Sequence, residues 1–314
     1  MRLDKFLADM GVGSRSDLKK AIRKSLVTVN GAVEKDPGAQ VSAEDHICFN
    51  GAEIRYAEKQ YYMLHKPAGV LSASEDRRQT TVVDLIRDAA STDASAANAS
   101  TADHHAAGGY ADGRIARSTK DARVRKDLFP VGRLDKDTEG LLIITNDGPL
   151  AHQLLVPKHH IDKTYYAIVT GTITEDDQRA FTRGIRYDEK LTALPATLRV
   201  LSTGKTVAEL RRALGFTATS ERLLRTRLAG PAFIGAEDPA DITDDTLVSE
   251  VEITIQEGKF HQIKKMVKAL PGGKEILYLR RITMGALRLD PALAPGEFRK
   301  LSEDEIRILK KETE

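Results

Sequence analysis

Apolar residues recur at the spacing of a helix face in "RLDKFLADMG", where Leu3, Phe6, Leu7 and Met10 line one side and Gly11 and Gly13 end the pattern. Ser14 then stands where a cap is needed. The segment that follows, "RSDLKKAIRK", places Leu18, Ala21 and Ile22 on one stripe and Arg15, Lys19, Lys20 and Arg23 on the other. "LVTVNG" alternates like a strand and closes on Asn30-Gly31, the favoured chemistry for a two-residue hairpin turn. After a short linker near residues 52–58, "YYMLHKPAGVLSA" predicts a strand running into a turn. The apolar run and Asn-Asp-Gly exit of "GLLIITNDG" predict a buried strand, which makes "GRLDKDTE" the loop that feeds it. "HHIDKTYYAIV" predicts a strand after a basic turn. "EGKFHQIKKMVKAL" predicts a glycine turn and then a helix with Ile263, Met266, Val267 and Leu270 as its buried stripe.

Two stretches interrupt this pattern. Residues 89–126 hold twelve alanines in 38 positions and almost no large apolar side chains, too little to offset the entropy of ordering, so a long surface insertion is expected there. The adjacent His104 and His105 lack companion ligands for a metal. From residue 202 to 248 a half with helical spacing precedes a turn-rich acidic half, and a lobe inserted between two strands of one sheet is expected, in a packing role or a functional one.

The chain of 314 residues favours two domains, and it contains no apolar stretch near the ~18 residues that a membrane span requires. Its N-terminus lacks the pattern of a signal peptide, and Cys48 is its only cysteine, which fits a reducing cytoplasm. The net charge is only +2, but the charges are unevenly spread. Residues 1–30 carry seven Lys and Arg against three Asp, and residues 258–281 carry seven against Glu275 alone. Such segments suit either an ordinary solvated face or a polyanion such as RNA.

The buried strand and its charged entry loop raise the chemical question. Asp135 lies at the lip of a core, where a carboxylate is costly unless it is paired or used. It could brace its own turn with Arg133, Asp137 and Thr138, or it could be catalytic. Tyr165 at the start of its strand could be plain core. Lys264 and Lys265 occupy the first turn of a helix, the unfavourable end of the dipole for a cation, and a nearby anion would account for them.

Taken in order, "YYMLHKPAGVLSA", "GRLDKDTEGLLIITNDG", "KTYYAIV", "EGKFHQIKKM" and "APGEFRKLSEDEI" closely resemble the pseudouridine synthases of the RsuA/RluB/E/F group. The first fifty residues resemble the S-four-like RNA-binding module that this group carries in front, departing at Ser25-Leu26, where the family usually has Gly. The resemblance covers residues 1–86, 127–201 and 249–308 and leaves the two insertions outside.

The resemblance implies an α+β fold: a central, mostly antiparallel sheet with surrounding helices (58–310, with insertions at 89–126 and 202–248) and a small N-terminal α/β RNA-binding domain (1–54). Asp135 matches the catalytic aspartate, Tyr165 the active-site tyrosine that stacks on uracil, and Lys264 the cation paired with the carboxylate. Arg133 matches the arginine that fills the gap left by an extruded base; Gln262 and His261 are expected as walls of the substrate site. Arg2, Lys5, Arg15, Lys19, Lys20 and Arg23 are the expected RNA contacts.

No metal or cofactor is expected, because isomerising uridine involves no redox change, hydrolysis or activated donor. The implied partner is rRNA, free or in a partly assembled particle, acted on by a monomer. "PKHHIDKTY" and "LPATLRVL" look more like the branch that acts on 16S rRNA. A 23S rRNA enzyme and a non-catalytic rRNA-binding or ribosome-assembly protein are the alternatives.

Overall fold

A computed structural model describes residues 1–312 except 55, 57–58, 97–123, 157–158, 189–190 and 214–242. His104, His105 and residues 214–242, which include most of the turn-rich acidic half of the second insertion, lie outside the described residues.

The N-terminal segment folds as its pattern predicts. Helices α1 (Leu3–Asp9) and α2 (Arg15–Arg23) pack Leu3, Phe6, Leu7, Leu18 and Ile22 into one small core with Val27 and Ile47. Ser14 caps α2 by accepting from the Asp17 amide at 3.2 Å. A four-stranded sheet in the order β2-β1-β3-β4 completes this unit, with β1 at Val27–Val29, β2 at Ala32–Val33, β3 at Ile47–Phe49 and β4 at Ala52–Glu53. The β1–β2 hairpin turns on Asn30 and Gly31, both at positive φ (51° and 84°), the geometry of a type I′ turn. Ser25 also takes a left-handed backbone, with φ 63°, at the position where the resembled family usually has Gly.

The remainder is built on a nine-stranded sheet. Its main path runs β13-β5-β7-β11-β8-β10-β9, formed by β5 (Tyr61–Lys66), β7 (Glu139–Thr145), β8 (Lys163–Thr170), β9 (Thr197–Thr206), β10 (Leu247–Ile255), β11 (Ile276–Met284) and β13 (Phe298–Lys300). Short β6 (Phe129–Pro130) pairs with β7, and β12 (Leu287–Arg288) pairs with β11. Every pairing is antiparallel except β7 with β11, which align Arg280 with Glu139 and Arg281 with Gly140. Gly140 has φ 105°, and a Cβ there would overlap the Arg281 carbonyl oxygen. Only glycine lets the two strands approach so closely.

β5 and β7 are buried along their whole length because helices cover both faces of the sheet. The period of two sorts their side chains: Tyr62, Leu64, Leu142 and Ile144 enter one core, and Tyr61, Met63, Leu141 and Ile143 the other. The first core includes residues of α3 (Val82–Ala96), α5 (Glu175–Arg183) and α7 (Gln262–Lys268); the second takes α4 (Gly148–Leu155) and α8 (Glu303–Lys311). α6 (Val207–Ala213) follows β9.

Regular structure extends into both expected insertions. α3 continues through Ala96, and Ala89 is buried in the first core. Alanine is the best helix former, so a segment poor in large apolar residues can still extend a helix. β9 likewise continues past residue 202 in its pairing with β10, with Ser202 against Glu250 and Thr206 against Leu247. Among the described residues no helix is long and apolar enough to cross a membrane.

Candidate active site

The loop from Val131 to Thr138 enters β7 along the rim of the first core, into which Leu134 inserts its side chain. Three sets of bonds fix the loop. Thr138 donates its amide to the Asp135 carbonyl at 3.0 Å, closing a tight turn. Ser72 holds Leu134 from both sides, donating its hydroxyl to the carbonyl at 2.8 Å and accepting from the amide at 3.1 Å. Lys66, at 0% exposure, donates its ammonium to the carbonyls of Pro67, Lys136 and Thr138 at 2.9, 3.2 and 3.0 Å. A buried ammonium is tolerated only when its protons are satisfied, and here two of the three acceptors are backbone carbonyls of the loop that carries Asp135.

The opposing wall is α7. With seven residues it is too short to be stable alone. It is held because Ile263, Met266 and Val267 are buried in the first core, each contributing about 1.5–3 kcal/mol. This anchoring presents Lys264 to the loop. Its Nζ lies 2.7 and 2.8 Å from the two oxygens of Asp137 and 3.3 Å from Oδ2 of Asp135. A cation in the first turn, opposed by the helix dipole, is thus balanced by two carboxylates.

His261 precedes α7 in the left-handed region (φ 52°) and brings its Nε2 to 3.8 Å from Oδ1 of Asp135, an electrostatic approach longer than a hydrogen bond. Asp135 retains 27% side-chain exposure, so it opens to a substrate while its two oxygens face two basic groups.

Tyr165 lies on β8, 7% exposed, in the same core cluster as Leu134 and Ile263, the neighbours in sequence of Asp135 and Lys264. Its register partners are Ile253 and Arg281. Arg133 is exposed beside the carboxylate in sequence. Gln262 is placed differently from the expected substrate wall. Its side chain is 3% exposed, donates to Glu257 Oε1 at 2.7 Å and accepts from the Lys259 amide at 2.9 Å, which ties together the turn preceding α7.

The basic residues of the N-terminal unit, Lys5, Arg15, Lys19, Lys20 and Arg23, are all exposed. Arg2 is exposed too, but its guanidinium makes two 3.0 Å bonds to buried Asp4 and holds that carboxyl below its usual range.

Sequence reasoning did not single out Lys66, Ser72 or Phe260, and it gave Asp137 only a bracing role. A lysine ending a six-residue apolar strand was the available signal for Lys66. Nothing in the pattern marks its three carbonyl acceptors. The assembled groups, a carboxylate flanked by an ammonium and an imidazole at an open rim with a phenol on β8 of the same sheet, suit nucleophilic or acid–base chemistry on a neutral ring. Among the described residues no cluster of His, Cys, Asp and Glu could hold a metal.

Comparison with known proteins agrees with this reading. Residues 60–269 match the model of the RNA pseudouridylate synthase family, and residues 1–47 match the S4 domain. The chain is 34% identical to the uncharacterised RNA pseudouridine synthase YtzG of Bacillus subtilis, covering 98% of each. It is 31% identical to the ribosomal small subunit pseudouridine synthase A of Pasteurella multocida, over 99% of this chain and 100% of that one. To the ribosomal large subunit pseudouridine synthase B of Bacillus subtilis it is 30% identical, over 98% and 95%. A crystal structure of a pseudouridylate synthase superposes with a TM-score of 0.51 at 29% identity, covering 98% of this chain and 99% of the other.

Proposed function

This chain belongs to the RNA pseudouridylate synthase family, in its RsuA-like branch with an N-terminal S4 domain, and from that premise we propose that it converts one uridine of 16S rRNA to pseudouridine. The observation that carries the chemistry is the pairing of Asp135 with Lys264 at the rim of the first core.

In the reaction the bond from N1 of uracil to C1′ of ribose breaks and a bond from C5 to C1′ forms. The proton on C5 leaves and N1 gains one, so atoms and charge balance without a redox partner. Asp135 starts the sequence, by attack on the nucleoside or by deprotonating the ribose. Lys264 keeps the carboxylate in place, and Tyr165 supplies a face on which the uracil turns. Arg133, exposed two residues before Asp135, fills the gap that the extruded uridine leaves in its stack. Residues 58–310 hold this chemistry. Residues 1–54 hold the RNA through exposed Lys5, Arg15, Lys19, Lys20 and Arg23, whose charges suit a phosphate backbone.

The small-subunit assignment is supported by full-length similarity to a small-subunit enzyme and by "PKHHIDKTY" and "LPATLRVL". A 23S target is the second reading, favoured by nearly equal similarity to a large-subunit enzyme. The deciding experiment maps pseudouridine by chemical derivatisation and primer extension on 16S and 23S rRNA and on assembling particles. The proposal requires a single new stop in 16S rRNA; a stop in 23S rRNA moves the target to the other subunit. No stop on any of them would favour a non-catalytic RNA-binding protein.

A further inference from the structure

Phe260 is 73% exposed, the most exposed of the large apolar side chains among the described residues, and it stands beside the catalytic rim. Packing does not explain its position, because burying a phenylalanine is favourable and this one is left in water. It is nevertheless held in place. Its ring stacks on His261 at 3.8 Å between centroids and 20° between planes, and the left-handed backbone of His261 (φ 52°) sets the turn that presents both rings. The ammonium of Lys265 lies 5.5 Å from the ring centroid. Lys259, the preceding residue, is tied to Glu257 at 2.9 Å. His261 Nε2 lies 3.8 Å from Asp135 Oδ1, so Phe260 is one stacked ring removed from a group that faces the carboxylate.

From this geometry we infer that Phe260, backed by His261, is a stacking platform for an unpaired RNA base flanking the target uridine. The inference rests on the proposed RNA substrate and names where a second nucleotide is gripped. Extruding a uridine unstacks its neighbours at a free-energy cost, and an aromatic face at the rim recovers part of that stacking. Because every base has a π-face, the contact is tolerant of base identity. Lys265 adds a cation at the same spot, and Lys268 lies exposed further along α7. Charge and ring together favour a nucleotide over an apolar peptide. Lys264 and Lys265, adjacent in sequence, thereby divide their tasks: the first turns inward to the carboxylates, the second outward beneath the platform.

The chain contains no tryptophan, so Phe260→Trp introduces a single emitter at the proposed contact. Titrating that full-length variant with 16S and 23S rRNA transcripts should quench its emission in step with binding. Phe260→Leu keeps an apolar cover over His261 but loses the flat face. It should weaken KM for the modified rRNA roughly 5- to 150-fold, the equivalent of about 1–3 kcal/mol per stacked base. Phe260→Trp should stay within roughly threefold of the parent, because any aromatic face restores stacking.

A Leu variant with parental KM, or a Trp variant whose emission ignores bound rRNA, would show that Phe260 only covers His261 and would overturn the inference. If Phe260→Leu does not fold, as judged by circular dichroism, the Trp titration decides alone. Failure of the parent protein to form pseudouridine in either rRNA would remove the proposed function, whereas the emission change reports base stacking without turnover.

Discussion

Replacing Lys264 by Met keeps the length of the side chain and removes the charge between two carboxylates. In the parent the ammonium lies 3.3 Å from Asp135 and 2.7 and 2.8 Å from Asp137. At an effective dielectric of about 20, a unit pair at the longer distance is worth about 5 kcal/mol before screening. The Lys264 and Asp135 side chains retain 20% and 27% exposure, so water reduces that figure; about 2–3 kcal/mol is a reasonable net value. Without the cation, Asp135 and Asp137 repel each other and Asp135 loses its fixed position. Carried into the transition state, this corresponds to a fall in kcat/KM of roughly 30- to 150-fold.

Two companions sharpen the test. Lys264→Arg keeps the charge and should lose less than about tenfold, and Asp137→Asn leaves the ammonium wholly to Asp135 and should lose less than about fivefold. Release of tritium from rRNA labelled at C5 of uridine is the assay, because the C5 proton leaves once per turnover. Retention of kcat/KM within threefold by a folded Lys264→Met protein would refute the reasoning.

Other consequences concern stability. Burial, reinforced by the Arg281 guanidinium, pulls the pKa of Lys163 down from 10.5 to about 8, and its ammonium donates to the Ile161 carbonyl at 2.9 Å. Below pH 8 both folded and unfolded chains carry the proton and the burial penalty, about 3 kcal/mol, is fully present; between pH 8 and 10.5 the unfolded chain binds more protons and stability rises with pH. Lys163→Met should therefore stabilise the protein by about 2 kcal/mol at pH 7, after loss of the Ile161 bond, and the gain in urea midpoint should vanish near pH 10. Gly140→Ala places a Cβ 2.7 Å from the Arg281 nitrogen at φ 105°. It should destabilise by about 3 kcal/mol or more, read as a lowered Tm. Ser25→Gly relieves a left-handed backbone and should stabilise the N-terminal unit by about 1 kcal/mol, read by amide hydrogen exchange in α1 and α2.

Local pattern carried the elements well. The apolar run of β7 and its polar exit, the stripe of α7 and the Asn30-Gly31 turn each declare themselves within a few residues. The resemblance, rather than spacing, grouped Asp135, Tyr165 and Lys264, because proximity between residues tens of positions or more apart in sequence leaves no trace in periodicity. Lys66 shows the same limit: its three acceptors lie in the next residue and in the Asp135 loop, so a charged residue that reads as surface is fully buried. Gln262 illustrates the converse, since a polar residue beside two functional ones is occupied by Glu257 and the Lys259 amide. The helix that runs through Ala96 is not legible in hydrophobicity, because alanine favours a helix without adding a large apolar side chain.

The most direct test of the central claim is tritium release from C5-labelled rRNA by the parent protein and by Asp135→Asn, with rRNA affinity and folding measured on the same samples. The account predicts that the substitution abolishes release, by at least about 10⁴-fold, while affinity and circular dichroism are retained. Release at near-parental rates from Asp135→Asn would contradict it and place the chemistry on another residue.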